Sequence, residues 1–387
     1  MKQRTLTACC AAHTLHDGLS DVSYVLLPLL AQTFGLSLAQ VGLIRSAHRT
    51  AMAAFQIPAG LIAERFGERN LLALGTALAG CAFVALGFVS GFWAILAALF
   101  LAGAGSAVQH PLCSAIISRA FPEDGRRAAL GTYNFAGDVG KFAFGGAVSL
   151  FLLIGVAWQV PVVGFGVAAI ATAAAVLLVV ADARAVSASS AISGRGWGIR
   201  DRRGFAALCL IEVLDSSTRT GFMTFIAFLL IAKGLPEHWA VLSVPLVLVG
   251  GMAGKLACGL LAERLGIARM IVLTELATAG GILATLALPG MGAFLLLPLL
   301  GVVVQGTSSV LYATIGEYVE PERLPRAFGF FYTIGSVCGI AAPLGYGLLG
   351  NRYGVEAGIA VMGTAILLTL PLTPLLMKSG VSSKALT

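Results

Sequence analysis

From Leu71 to Ala107 the sequence reads LLALGTALAGCAFVALGFVSGFWAILAALFLAGAGSA, without one Asp, Glu, Lys or Arg. A soluble helix must show water a polar face, so an uncharged stretch this long needs another solvent. Across its 387 residues the chain is 58% hydrophobic and 11% charged, against about 25% charged in an ordinary soluble domain. Lipid therefore has to cover the outside. The 48 glycines suit that solvent, because small residues bring membrane helices into close contact. All seven cysteines fall inside apolar stretches without paired spacing and read as small buried hydrophobes. The basic start MKQRTLTACCAAHTLHDG lacks a small-residue cleavage site and reads as a retained first span.

With about 20 residues per span, and Gly, Pro or charge clusters as breaks, helices are expected near 8–33, 38–63, 70–90, 92–118, 127–153 and 158–182. A second set follows near 204–232, 239–264, 269–288, 291–316, 326–350 and 354–377. Between them the Ser-, Gly- and Arg-rich stretch 183–203 reads as a cytoplasmic linker. Of the 25 Lys and Arg, five fall within spans and eighteen on one side of the membrane, leaving only Lys233 and Arg352 on the other. Positive charge gathers on the cytoplasmic side, so both termini are expected there, in the plasma membrane of a bacterium. The net charge of +7 then needs no nucleic-acid partner.

The two sets repeat. GLIAERFG begins at Gly60 and GLLAERLG at Gly259, an offset of 199 residues that also pairs Pro122 with Pro321, Arg127 with Arg326, Tyr133 with Tyr332 and Gly140 with Gly339. Six helices is an even number, so the copies run parallel. The expected fold is an all-α integral membrane protein of twelve transmembrane helices. Its two pseudo-symmetric six-helix bundles are residues 1–182 and 204–387.

The strings Gly60-Leu-Ile-Ala-Glu64-Arg65-Phe-Gly67 and Gly259-Leu-Leu-Ala-Glu263-Arg264-Leu-Gly266 resemble the signature loop of the major facilitator superfamily, with Glu where Asp is commoner. The resemblance implies a gating role for Glu64, Arg65, Glu263 and Arg264, holding the two halves together on the cytoplasmic side; a merely solvated loop is the alternative. In the first 150 residues, His13-Thr-Leu-His-Asp17 and Gly105-Ser-Ala-Val-Gln-His110-Pro111 resemble the fosmidomycin-resistance branch of drug exporters. One departure bears on direction: the Gly-Pro usual in helix 5 of antiporters is missing from Gly137-Asp138-Val-Gly140-Lys141.

Ionisable groups near the bilayer centre cost at least ~2.5 kcal/mol each, so they pair, face a cavity or mark a transport path. Counting ~1.5 Å per residue, Asp17, His110, Asp138 and Asp215 lie at roughly 12–16 Å from the cytoplasmic end, and Asp21, Arg49, Lys141 and Arg219 at roughly 20–22 Å. The lower layer reads as a proton site, with Asp17 titrating and His110, His13 or Asp138 tuning or relaying it. A permanent paired network that only sets helix packing is the alternative. Asp21, Arg49, Lys141, Glu212, Asp215 and Arg219 are the candidates for solute contact, since Arg offers a fork of donors to a carboxylate or phosphate. Internal pairing among them is the alternative. Lys255 and Glu275 are expected near helix ends, snorkelling to the interface.

No nucleotide loop of the form GxxxxGK[ST] and no zinc-ligand spacing occurs, so no cofactor, metal, ATP-driven step or enzymatic activity is expected. The expected partners are a small-molecule solute, protons and the lipid bilayer, and the expected state is a monomer. Together these features describe a proton-coupled secondary active transporter that exports a small charged or amphipathic solute by alternating access. The alternative is a proton-coupled uptake symporter for an organic anion, favoured by the missing proline and the embedded cations.

Overall fold

The computed structural model describes residues 2–121, 126–180, 198–320 and 324–377. Among these, the secondary structure is helical except for an antiparallel bridge between Ile199 and Val319. The chain divides into two compact units, Met1–Ser190 and Ala191–Thr387.

The first unit contains α1 (Lys2–Phe34), α2 (Leu38–Phe66), α3 (Glu68–Leu86), α4 (Phe92–Ser106), α5 (Gln109–Ala120), α6 (Arg126–Leu153) and α7 (Gln159–Val179). The second contains α8 (Arg202–Ala232), α9 (Glu237–Ala240), α10 (Ser243–Leu265), α11 (Ile267–Ala287), α12 (Gly290–Tyr318), α13 (Leu324–Tyr353), α14 (Val355–Ala365), a 3₁₀ segment (Ile366–Leu372) and α15 (Thr373–Met377). The sequence repeat reappears as packing. In the first unit α1 lies on α6, α2 on α4 and α3 on α7; in the second α8 lies on α13, α10 on α12 and α11 on α14. The turns repeat as well: Gly67 ends α2 at φ 83° and Gly266 ends α10 at φ 84°, a left-handed conformation that glycine adopts without strain.

Local signals explain the boundaries. Ser37 starts α2 as a capping box: its hydroxyl accepts from the Gln40 amide at 3.3 Å, while the Gln40 side chain accepts from the Ser37 amide at 2.9 Å. The expected continuous fourth span 92–118 is two helices, α4 and α5. Pro111 has no N–H to give the Ala107 carbonyl, and its ring crowds that carbonyl, so the ladder breaks at residues 107–108. The last span is interrupted for the same reason, because Pro371 and Pro374 remove two donors and the ladder tightens to 3₁₀.

Nine helical stretches among the described residues are long and apolar enough to cross a membrane. Three further long helices, α1, α2 and α8, have 33, 29 and 31 residues. They are less apolar because they carry most of the embedded charge. Polarity is inverted relative to a soluble protein: Leu178 is 87% exposed and Leu299 69%, whereas Arg45 is 1% exposed and Glu275 0%. Only a solvent of hydrocarbon favours that arrangement, which makes this a multi-pass membrane protein. Cys81 departs from the expectation of buried thiols, since it lies on the exposed apolar surface of α3.

Candidate functional site

In the first unit, α1 and α6 approach closely because glycine lines the contact. A Cβ at Gly140 would strike the Thr14 carbonyl oxygen, and the Thr14 hydroxyl donates to the Ala136 carbonyl at 2.9 Å. At Gly137 a Cβ would stand 2.5 Å from Nε2 of His13 and 2.8 Å from Oδ2 of Asp17. The missing side chain is the space the ionic cluster occupies.

Asp17 is 7% exposed and has three partners from three helices. Nε2 of His13, one turn earlier on α1, lies 3.2 Å from Oδ2; Nε2 of His110 on α5 lies 3.5 Å from Oδ1; and Nζ of Lys141 on α6 lies 3.1 Å from Oδ2. Lys141 is also 3.1 Å from Oδ1 of Asp138. The two depth layers expected from the sequence are thus joined, because the Lys141 side chain reaches across a turn to the acids below it.

One contact defines a proton. Nδ1 of His13 lies 2.7 Å from the backbone carbonyl oxygen of Tyr133, which can only accept, so Nδ1 carries a hydrogen. Nε2 faces Oδ2 of Asp17 at 3.2 Å without forming a hydrogen bond. The two side chains are therefore close enough to take up a proton between them, while Lys141 already supplies a donor to the same carboxylate oxygen. Tyr133 also stacks on the His13 ring with centroids 4.0 Å apart, and its hydroxyl accepts from Nε2 of Gln109 at 2.7 Å.

His13, Asp17 and His110 offer ligand atoms all within 4.8 Å of one another, a spacing that could hold a metal ion. The sequence already placed these three residues in one layer as a proton site, and the structure brings them together. In this geometry the ammonium of Lys141 supplies the positive charge at Asp17.

The neighbouring polar residues are tied to the fold. His16 is 1% exposed. Thr76 spends its hydroxyl hydrogen on the Leu72 carbonyl at 2.7 Å, so it accepts from Nε2 of His16 at 2.8 Å, and Ser106 donates to Nδ1 at 3.2 Å. Both nitrogens are satisfied by a neutral ring. Arg45 donates to the Ser20 carbonyl at 3.0 Å and the Ser23 hydroxyl at 2.6 Å, lies 3.7 Å over the Tyr24 ring, and has Asp21 at 3.8 Å. Arg49 is half-buried on the same helix, and its Nε has no hydrogen-bond partner among the described residues.

The second unit buries Glu212 and Asp215 on α8 beside a half-buried Arg219, whose Nη2 lies 3.7 Å from Oδ2 of Asp215. Glu275 was expected to snorkel from a helix end and does not. It sits in the middle of α11 at 0% exposure, within electrostatic reach of Asp215, Arg219 and Glu212. Lys255 is likewise half-buried well inside α10.

At the signature turns, the Glu64, Arg65 and Glu263 side chains lie outside the described residues, and Arg264 is exposed at the end of α10. The contact that is seen there was missed in the sequence. Glu68, 4% exposed in the first turn of α3, forms an ion pair with Arg119 in the last turn of α5, with Nη1 donating to Oε1 at 2.8 Å. An acid immediately after the turn glycine was the available signal.

The sequence profile of the Major Facilitator Superfamily matches residues 9–343. The chain belongs to that superfamily. Among its members, the "Probable sulfoacetate transporter SauU" of Cupriavidus necator is 24% identical over 92% of this chain and 90% of its own. The fosmidomycin resistance protein of Escherichia coli is 29% identical over 29% of this chain and 27% of its own. In structure, the chain is similar to a bacterial homolog of the human lysosomal transporter Spinster in an inward-facing, occupied conformation. The TM-score is 0.83 at 18% identity over 96% of both chains, a likeness that carries the superfamily fold alone. These relatives are transporters, and a non-enzymatic role fits them.

Proposed function

We propose that this superfamily member is a proton-coupled secondary active transporter in which the proton shared by Asp17 and His13 is the coupled one. The observation that carries the reading is the arrangement at His13: the Tyr133 carbonyl takes the hydrogen of Nδ1 and leaves Nε2 3.2 Å from Oδ2 of Asp17, where a proton can be taken up between them. His110 and Lys141 adjust it: moving Lys141 from Asp17 to Asp138 changes which acid bears uncompensated charge, and with it the ease of releasing the proton. Alternating access of a twelve-span protein, built as bundle 1–182, linker 183–203 and bundle 204–387, would expose this group to each side in turn. Both termini would face the cytoplasm of a bacterial cell, and the protein would work as a monomer.

Arg49 and Arg219 are the solute-binding cations in this reading, with Asp21, Glu212 and Asp215 around them. Glu64, Arg65, Glu263 and Arg264 would form the cytoplasmic gate. Export of a small charged or amphipathic solute is the primary direction, supported by the local likeness to a resistance protein. Proton-coupled uptake of an organic anion is the second reading. It is favoured by the likeness to a probable sulfoacetate transporter along nearly the whole chain.

Everted membrane vesicles test the coupling. The wild type should accumulate solute and lose it on adding an uncoupler; Asp17→Asn, which keeps the shape without the titration, should bind and exchange solute but not accumulate it. Accumulation by the Asn variant that an uncoupler still collapses would remove Asp17 from the mechanism. Accumulation in right-side-out vesicles alone would favour uptake.

A further inference from the structure

The second unit buries three carboxyl groups around one guanidinium. Glu212, Asp215 and Glu275 are 0%, 2% and 0% exposed. Glu212 and Asp215 are one turn apart on α8, and Glu275 reaches them electrostatically from α11. Among the described residues, the cation within reach of all three is Arg219, seen 3.7 Å from Oδ2 of Asp215. Both oxygens of Glu212, both of Glu275 and Oδ2 of Asp215 have no hydrogen-bond partner among the described residues. Among the described residues, the other titratable groups sensing these acids are Cys209 on α8, Tyr312 on α12, and Tyr332 and Cys338 on α13, none of which brings positive charge. Lys255 on α10 is half-buried and has an interaction of its own. Gly335 of α13 faces Glu212, where a Cβ would stand 3.2 Å from Oε1, so no side chain from that position supplies a donor.

Three ionised carboxylates on one guanidinium would leave excess negative charge in a low-dielectric interior, where an unpaired charge neutralises instead. The orphaned oxygens also lack a donor, and a protonated carboxyl provides one. We propose that Glu212, Asp215 and Glu275 form a second proton-binding site, holding at least one proton at neutral pH. It goes beyond the Asp17 proton, because it lies in the other unit and gives Glu212 and Asp215 a proton in addition to the solute contact proposed for them. Each half of the repeat would then hold a proton of its own, and transport would draw on both.

Infrared spectroscopy of the purified full chain in lipid nanodiscs tests this, with Asp17→Asn as the background so that this carboxyl adds nothing. At neutral pH the C=O stretch of a protonated carboxylic acid should be present, shift in D2O and fade as the pH is raised. Glu275→Gln or Glu212→Gln should each diminish it, with Asp215→Asn as a third variant should either fail to fold as judged by gel filtration. A band unchanged in every folded variant would overturn the proposal. So would a band that disappears in sodium chloride but persists in choline chloride, since sodium would then be the neutralising cation. In proteoliposomes with native Asp17, the protons moved per solute should fall by a single proton in the Gln variants; an unchanged ratio would mean the bound proton takes no part in transport.

Discussion

The ammonium of Lys141 stands 3.1 Å from Oδ2 of Asp17, bridging two helices that glycine allows to touch. Because Lys141 also reaches Asp138 at 3.1 Å, the acids differ in what they lose. Asp138→Asn leaves the Asp17 pair intact but removes the acid to which Lys141 can move, so it should spare stability and slow uncoupler-sensitive transport. Lys141→Gln removes the cation from both and should lower stability by roughly 1–3 kcal/mol, discounted because Lys141 is partly exposed. Thermal unfolding in detergent beside vesicle transport separates the two. Equal loss in both variants would contradict the bridging role.

The glycines of α6 give a graded test. Gly140→Ala drives a methyl into the Thr14 carbonyl and should cost roughly 1–3 kcal/mol or more, visible as a lower melting temperature and poor expression. Gly137→Ala intrudes on His13 and Asp17 and should reduce coupled accumulation more than it reduces stability. Gly146→Ala meets nothing within 4 Å and should be nearly silent in both assays.

His13 and His16 lie on one helix but should respond differently. His16→Leu leaves Ser106 and Thr76 without their partner, costing about 1–3 kcal/mol of stability, while coupling per folded molecule is preserved. His13→Leu removes half of the proton contact and should abolish accumulation even where the protein folds. Counterflow and gradient-driven uptake in the same vesicles distinguish these outcomes.

Arg119→Ala strands the buried carboxylate of Glu68 and should destabilise the first unit by about 2 kcal/mol. Adding Glu68→Gln should restore part of that loss, because the neutral amide needs no counter-charge. A double-mutant cycle by thermal unfolding measures the coupling, and additive losses would show that the pair contributes nothing.

Much of the architecture was legible in the residues because lipid imposes a simple rule: long uncharged stretches become spanning helices, and breaks fall at Gly, Pro and charge. The 199-residue offset likewise foretold the matched packing of α1 on α6 and α8 on α13, since equivalent small residues bring equivalent helices together. Asp17, His13 and His110 could be singled out as charges a bilayer does not tolerate unpaired. Which partner each takes was decided only by the tertiary structure. Lys141 meets Asp17 across two helices, the Tyr133 carbonyl orients His13, and Glu275 of α11 joins the acids of α8. Helical periodicity states which face a side chain occupies, but contacts between helices depend on their separation, and that is set by glycine packing over the whole interface. The same sequence pattern therefore determined that buried charges had to be compensated, while the fold alone selected the compensating groups.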